Sequence, residues 1–262
     1  MSFRKRSLCV LLVSCTVAIA GQTPLPPAEA APAPYFPTQL AHIGNAKQLL
    51  VVTGSSASSS YATLRTYQKG SDGRWRQQFA PMNARDGSHG WSWGIRRVQG
   101  DRTSPIGTFT LTTAFGLSVN PGTHMRYLHA DQDDYMAGDQ RDPSTYNVLQ
   151  TSASSTRTWR NDSNNSERIG ASPTQYRYGI VIDFNRPVAS SISYSKAHNE
   201  YVTNHPANTR LGFAIYLHVS GMGSTAGCVS IALADQVKVM RWLNPTMNPK
   251  IVMAPMANIR QA

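Results

Sequence analysis

The sequence predicts a mainly β domain behind an export signal and a proline-rich spacer. Three observations point there. Short apolar runs with period-two alternation recur from Lys47 onward. Glycine-, serine- and asparagine-rich turns separate them. Only one stretch, after Ile231, has the helical spacing of about 3.6 residues.

In chain order, residues 1–6 form a positive n-region and 8–20 a short apolar stretch. Ala18-Ile19-Ala20 fits a small-x-small cleavage site, and Ala28-Glu29-Ala30 offers a later one. The apolar stretch is too short to span a membrane. Leu12-Val13-Ser14-Cys15 has the look of a lipobox but lies very early, so residues 1–20 read as a secretion signal, with cleavage as late as 30. The expected location is outside the membrane, secreted or at the cell wall. Residues 21–45, with prolines at 24, 26, 27, 32, 34 and 37, read as a semi-extended linker. The folded domain is expected over 46–255.

Within it, strands are expected at 48–52, 61–68, 74–79, 108–113, 178–184 and 250–254. The turn Lys69-Gly70-Ser71-Asp72-Gly73 joins the second and third as a hairpin. The run at 178–184 is nearly continuously apolar, as for a strand covered on both faces. Residues 117–176 show no regular period. They carry Asp131-Gln132-Asp133-Asp134-Tyr135 and a Ser/Asn-dense stretch at 151–166, and a segment of that length is often a lid or binding loop.

The net charge is +11, and without Arg4-Lys5-Arg6 it is still 22 Lys/Arg against 14 Asp/Glu. No long run of like charge and no zinc-knuckle or RNP pattern is present, which argues against nucleic acid. A basic body suits an anionic polymer such as a cell wall, and equally serves plain solubility. The seven histidines (42, 89, 124, 129, 198, 205, 218) show no metal-ligand spacing, and there is no phosphate loop, dinucleotide fingerprint or GxSxG elbow. No metal, no cofactor and no lasting membrane insertion are expected.

The remaining constellation lies in residues 213–230, Phe-Ala-Ile-Tyr-Leu-His-Val-Ser-Gly-Met-Gly-Ser-Thr-Ala-Gly-Cys-Val-Ser. Phe213, Ile215 and Leu217 alternate with Ala214, Tyr216 and His218, so a strand ends at His218 with the imidazole opposite the Phe/Ile/Leu stripe. A helix is expected after the cysteine, with Ser230 as N-cap and Leu233, Val237 and Met240 on its apolar face. Cys228 then sits near a helix N-terminus, which favours thiolate. His218 can take its proton, and Gly227 permits the tight turn. Cys9 and Cys15 leave with the signal, so Cys228 is the mature chain's one thiol. An inert buried cysteine is the competing interpretation.

His218-Val219-Ser220-Gly221 followed by Ser224-Thr225-Ala226-Gly227-Cys228-Val229-Ser230 resembles the signature of YkuD-type L,D-transpeptidase catalytic domains. Gly100-Asp101-Arg102-Thr103-Ser104-Pro105-Ile106-Gly107-Thr108-Phe109 is similar to that family's TPxGxF stretch, and Asp142-Pro143-Ser144-Thr145-Tyr146-Asn147 to a block in some secreted members. The resemblance covers roughly residues 46–255. It implies a mainly β catalytic domain, a β-sandwich or mixed sheet with a few short helices. The implied activity is attack on the amide after the third residue of a peptidoglycan tetrapeptide stem, with a Cys thioester and a 3→3 cross-link. Cys228 would be the nucleophile and His218 the base. Gly227 and Cys228 N–H groups would contribute to an oxyanion hole. Ser220, Ser224 and Ser230 are the candidate substrate-side residues, and, apart from the resemblance, Ser220 could orient His218. Ala226 stands where the family has histidine, the His218–Cys228 spacing is shorter, and Ser230 replaces an Arg or Asn. Hydrolytic use of the same site, or a non-catalytic wall-binding module, are the alternatives.

Overall fold

The computed structural model describes residues 37–262. The signal at 1–20, its later cut at 30, and residues 21–36 of the linker lie outside the described residues. The packed unit reaches beyond 46–255 at both ends. Leu40 is buried, Ala41 N–H donates to the Arg260 carbonyl at 3.1 Å, and Thr108 Oγ1 donates to the Ala262 carbonyl at 2.9 Å.

The first strands are β1 (Gln48–Gly54), β2 (Tyr61–Lys69), β3 (Trp75–Gln77), β4 (Met82–Arg85), β5 (Trp91–Trp93) and the long β6 (Ser104–Gly116). Four short ones follow in the irregular segment, β7 (Arg126–His129), β8 (Tyr135–Ala137), β9 (Leu149–Gln150) and β10 (Ser166–Arg168). The chain then runs through β11 (Gly179–Ile182), β12 (Ile192–Ser195), β13 (Glu200–Thr203), β14 (Tyr216–Val219) and β15 (Val229–Ile231). It ends with helix α1 (Leu233–Trp242) and β16 (Lys250–Pro255).

Eight strands are ordered β1-β16-β6-β11-β14-β15-β4-β2, and β2 pairs back onto β1. The sheet therefore closes on itself. The expected mainly β, mixed-sheet fold forms, and it closes into a barrel-like ring rather than a sandwich. The cause is β1, whose Leu49-Leu50-Val51-Val52 run is buried on both faces and which pairs along both edges, parallel to β16 and antiparallel to β2. Closure leaves neither edge of β1 as an open template. β14 and β15 form the other parallel pair of the ring. The expected hairpin joins β2 to β3, with Gly70 N–H donating to the Arg74 carbonyl at 2.9 Å and Gly73 at φ +77°.

Alternation along β11 and β14 separates two apolar clusters. Ile180, Ile182, Ile215 and Leu217 join the main core. Val181, Ala214 and Tyr216 join a second cluster on the opposite face with Phe115 and Cys228. That second face is covered by Ala130, Met136, Ile169 and Tyr176, all from residues 117–176. The segment that lacked a period is thus a cap on one face of the barrel, built from β7–β10 and two 3-10 turns. Side-chain bonds hold it. Asp139 takes Arg160 through Nε and Nη2, both at 2.7 Å, and Thr158 Oγ1 donates to Glu200 at 2.8 Å. The two arginines at Asp139, Arg160 foremost, hold its carboxyl well below the usual carboxylate range.

The helix starts later than expected. Residues 229–231 are strand, paired with β14 on one side and β4 on the other, and Ser230 is a buried strand residue rather than an N-cap. Two ladders outweigh one capping bond. Ala232 occupies the cap position without a side-chain bond. The buried helix face is Gln236, Val239 and Met240, not Leu233, Val237 and Met240, because Gln236 Nε2 donates to the Leu217 carbonyl at 3.2 Å. Among the described residues no helix is long and apolar enough to cross a membrane.

Candidate functional site

The parallel ladder puts His218 on β14 and Cys228 immediately ahead of its neighbour β15. His218 lies opposite Ser230, and Cys228, just ahead of β15, packs in the cluster of Tyr216. In a pleated pair, residues 216, 218 and 230 share a face. Tyr176 confirms it from above, with its ring edge-on to both Tyr216 (5.7 Å) and His218 (5.5 Å). The imidazole is therefore on the side opposite Ile215 and Leu217, as the alternation predicts. Phe213 is the exception to that stripe, packing instead on the second cluster.

Cys228 is 8% exposed. Its Sγ donates to the Ala214 carbonyl at 3.2 Å and accepts from Tyr216 N–H at 3.4 Å. Ala214, at φ +55°, turns the chain where β14 begins, and the thiol fills the ladder position there. The expected helix N-terminus is absent beside it, since a strand follows. Burial pushes the thiol up, well above the ordinary cysteine range, with the Glu167 charge adding to the rise. The Tyr216 N–H and the Arg97 cation oppose it. The resting form is a protonated thiol, not the thiolate expected from the sequence.

His218 is 4% exposed and burial lowers its pKa, with the Val219 carbonyl opposing. Its Nδ1 lies 2.8 Å from that carbonyl. A carbonyl only accepts, so Nδ1 carries the proton and Nε2 keeps its lone pair. The pair is therefore a neutral thiol and a neutral imidazole, not a pre-formed ion pair, and the hydrogen-bonding contacts of Sγ are to Ala214 and Tyr216.

The Cys228 loop is pinned from below. Ser104 Oγ donates to the Gly227 carbonyl at 2.8 Å and accepts from Gly87 N–H at 2.9 Å. Thr225 Oγ1 donates to the Cys228 carbonyl at 2.6 Å. Gly227 is at φ +139°. A Cβ there would meet the Thr103 carbonyl oxygen at 2.8 Å and Arg97 Nη2 at 3.0 Å, so glycine is required. Its N–H donates to Thr225 Oγ1 at 3.0 Å and is not free for an oxyanion. Ser220 Oγ donates to Ser230 Oγ at 3.4 Å and does not orient His218, a part taken by the Val219 carbonyl. Ser230 is buried beside His218 rather than facing a ligand, and Ser224 is exposed in the glycine loop.

Four groups came without a sequence signal. Tyr176 Oη donates to Glu167, and burial lifts the Glu167 carboxyl to about 7 and both Tyr176 and Tyr216 well above the ordinary phenol range. Arg97 is buried, bonded through Nη2 to Asp101 at 3.2 Å and through Nε to Thr103 Oγ1 at 3.3 Å. The Tyr216 hydroxyl is buried with no hydrogen-bond partner. No regular period runs through the cap, so only spatial proximity reveals the first two. Arg97 stands just before the block Gly100–Phe109, which was a signal of place though not of role.

Among the described residues no group of three His, Cys, Asp or Glu side chains is placed to hold a metal. No protein-family model matches the chain, and no curated protein matches it. What fold and site define is therefore a closed mixed-sheet β protein carrying one buried Cys/His pair under a cap.

Proposed function

We propose that the protein is an exported cysteine acyl-transferase acting on peptidoglycan stem peptides, in the manner of the L,D-transpeptidases its motifs resemble. One observation supports this above the others. His218 sits on β14 and Cys228 directly ahead of its parallel partner β15, and the Val219 carbonyl fixes the tautomer that leaves Nε2 basic. In this reading the Cys228 proton passes to His218 Nε2 as sulfur bonds to the carbonyl carbon after the third stem residue. The C–N bond breaks, the amine of D-alanine leaves with the proton from His218, and a thioester remains. An amine of a second stem then attacks the thioester carbonyl, sulfur leaves and recovers a proton, and a 3→3 cross-link results. Water in place of that amine gives hydrolysis. Because Cys228 is buried, substrate reaches it by displacing the cap. The cap meets the site through ring edges of Tyr176 rather than through an ion pair, a contact of about 1 kcal/mol each.

The burial of the thiol and its raised pKa favour a second reading, a wall-binding module without catalysis. Incubation with a tetrapeptide muropeptide decides between them. The first reading expects D-alanine release by the wild type and none by Cys228→Ala of unchanged fold. Release that persists in Cys228→Ala refutes it. No release by either protein, with both retained on isolated walls, supports the module. Mass spectrometry with and without an acceptor amine separates cross-linking from hydrolysis.

A further inference from the structure

A buried cation lies against the loop that carries the thiol. Arg97 is 4% exposed, and its guanidinium backs onto two glycines. A Cβ at Gly227 would lie 3.0 Å from Arg97 Nη2, and one at Gly212 would lie 3.2 Å from Nη1. Gly227 immediately precedes Cys228, so the cation rests on the backbone that presents the sulfur. The guanidinium is on the main-core side, over the Phe184 ring at 5.3 Å, while the sulfur faces the second cluster. The loop backbone stands between them.

The guanidinium is held in place but only partly neutralised. Nη2 donates to Asp101 Oδ1 at 3.2 Å, and Nε donates to Thr103 Oγ1 at 3.3 Å. Asp101 is shared among other donors. Its Oδ1 also accepts from the Thr103 N–H and Oγ1, each at 2.9 Å, and its Oδ2 accepts from Val98 N–H at 3.0 Å. Arg97 Nη1 is buried without a hydrogen-bond partner. An unpaired buried donor is costly, and a cation kept only for packing would be expected to satisfy it. The other titratable groups around Cys228 are Glu167 and Tyr176 from the cap and Tyr216 and His218 from β14. Glu167, once ionised, opposes negative charge on the sulfur, and Arg97 favours it. In a poorly polarisable interior a full charge acts across several ångströms without contact. No helix N-terminus adjoins the thiol, and Gly227 N–H is committed to Thr225 Oγ1.

We propose that Arg97 is a positioning residue of this site, whose buried guanidinium supplies the positive field in which Cys228 Sγ carries negative charge as its proton leaves. The proposal rests on the nucleophile reading of Cys228. It gives the Arg97–Asp101–Thr103 corner ahead of β6 a part in the chemistry, exerted through the loop rather than by touching substrate.

The test is alkylation of Cys228 in the folded full chain by iodoacetamide, a small neutral reagent whose carbon bonds to sulfur as iodide leaves. Intact mass gives the rate from about pH 6 to 9. Arg97→Gln with an unchanged near-ultraviolet circular dichroism spectrum is expected to react about three- to tenfold more slowly, and Arg97→Lys within about threefold of wild type. Asp101→Asn removes the counter-charge and is expected to react about two- to fivefold faster, by the same factor with bulkier N-phenylmaleimide. A purely structural arginine gives a different pattern: both substitutions loosen the loop, both speed alkylation, and the bulkier reagent gains more. Arg97→Gln reacting at or above the wild-type rate, or both variants shifting the same way, overturns the proposal. If Arg97→Gln does not fold, Asp101→Asn decides. A rate that is unchanged, lowered, or raised more for the bulkier reagent is then the overturning result. Carbapenem adduct formation on wild-type Cys228, measured alongside, keeps the two readings apart. An adduct with alkylation indifferent to Arg97 removes the arginine proposal alone. The expected opposite shifts without an adduct remove the acyl-transfer reading alone. A folded wild type that resists iodoacetamide throughout overturns both.

Discussion

The two faces of β11 and β14 are built for different ends. On one, Ile180, Ile182, Ile215 and Leu217 join the main apolar core and are almost wholly excluded from water. On the other, the same strands present Val181, Tyr216, His218 and, from β15's entry, Cys228, beneath a cap that adds Tyr176 and Glu167. The first face gathers free energy by burying hydrocarbon, at about 25 cal/mol per Å². The second buries titratable groups whose charged forms are disfavoured there, so it trades stability for shifted pKa values. Stability and chemistry are thus separated by the pleat, one residue apart in sequence.

That contrast can be broken deliberately. His218→Ala should lower D-alanine release by about 10²- to 10⁴-fold, the usual worth of a general base, while thermal unfolding moves little. A proportional loss of stability would make His218 a core residue instead. Leu217→Ala, one position earlier and on the other face, should cost about 2–5 kcal/mol in urea unfolding. A cost under about 1 kcal/mol would contradict the assignment of that face.

The pH dependence sharpens the comparison. Glu167 has a folded pKa of about 7, raised from an ordinary glutamate by burial. A raised acid binds its proton more tightly when folded, so its share of stability is complete below the unfolded pKa, near 4.5, and is lost as pH rises to about 7. Asp86, fully buried and also lifted to about 7 by burial, acts in the same direction from near 3.8. Glu167→Gln should therefore flatten the fall in stability between pH 5 and 8, gaining on the order of 1–3 kcal/mol at pH 8 relative to pH 5. Parallel curves for variant and wild type would contradict it. The smallest effect belongs to Tyr216→Phe. Its hydroxyl has no partner, so removal should be neutral or stabilising by up to about 1 kcal/mol in urea unfolding, and a loss of more than about 1 kcal/mol would contradict this.

Much of this was legible in the residues. The apolar runs at 48–52, 61–68, 178–184 and 250–254 became strands, because burial on one or both faces leaves a period that composition alone displays. The alternation through 214–218 gave the face of His218 for the same reason. Barrel closure was not legible. Periodicity says which face is buried but not which strand is the neighbour, and β1 meets β16 across some two hundred residues. The helix start was misplaced because Ser230 suits both a cap and a strand, and only the ladders to β14 and β4 decide between them. The thiol's state was misjudged with it, since a cysteine ahead of a strand under a cap is desolvated rather than facing a helix dipole. The cap escaped because side-chain bonds hold it, Asp139 to Arg160 and Asp162 to Asn165 among them, and these follow no period. Glu167 and Tyr176 therefore became visible only through their contacts.

The central claim is that Cys228 is a nucleophile that His218 can deprotonate when the cap admits substrate. Intact-mass spectrometry of the folded protein after exposure to a carbapenem tests it most directly. The account predicts one covalent adduct, mapped to Cys228, absent in Cys228→Ala and formed far more slowly in His218→Ala. A folded wild-type protein that stays unmodified, while its thiol alkylates readily once unfolded, would contradict the account.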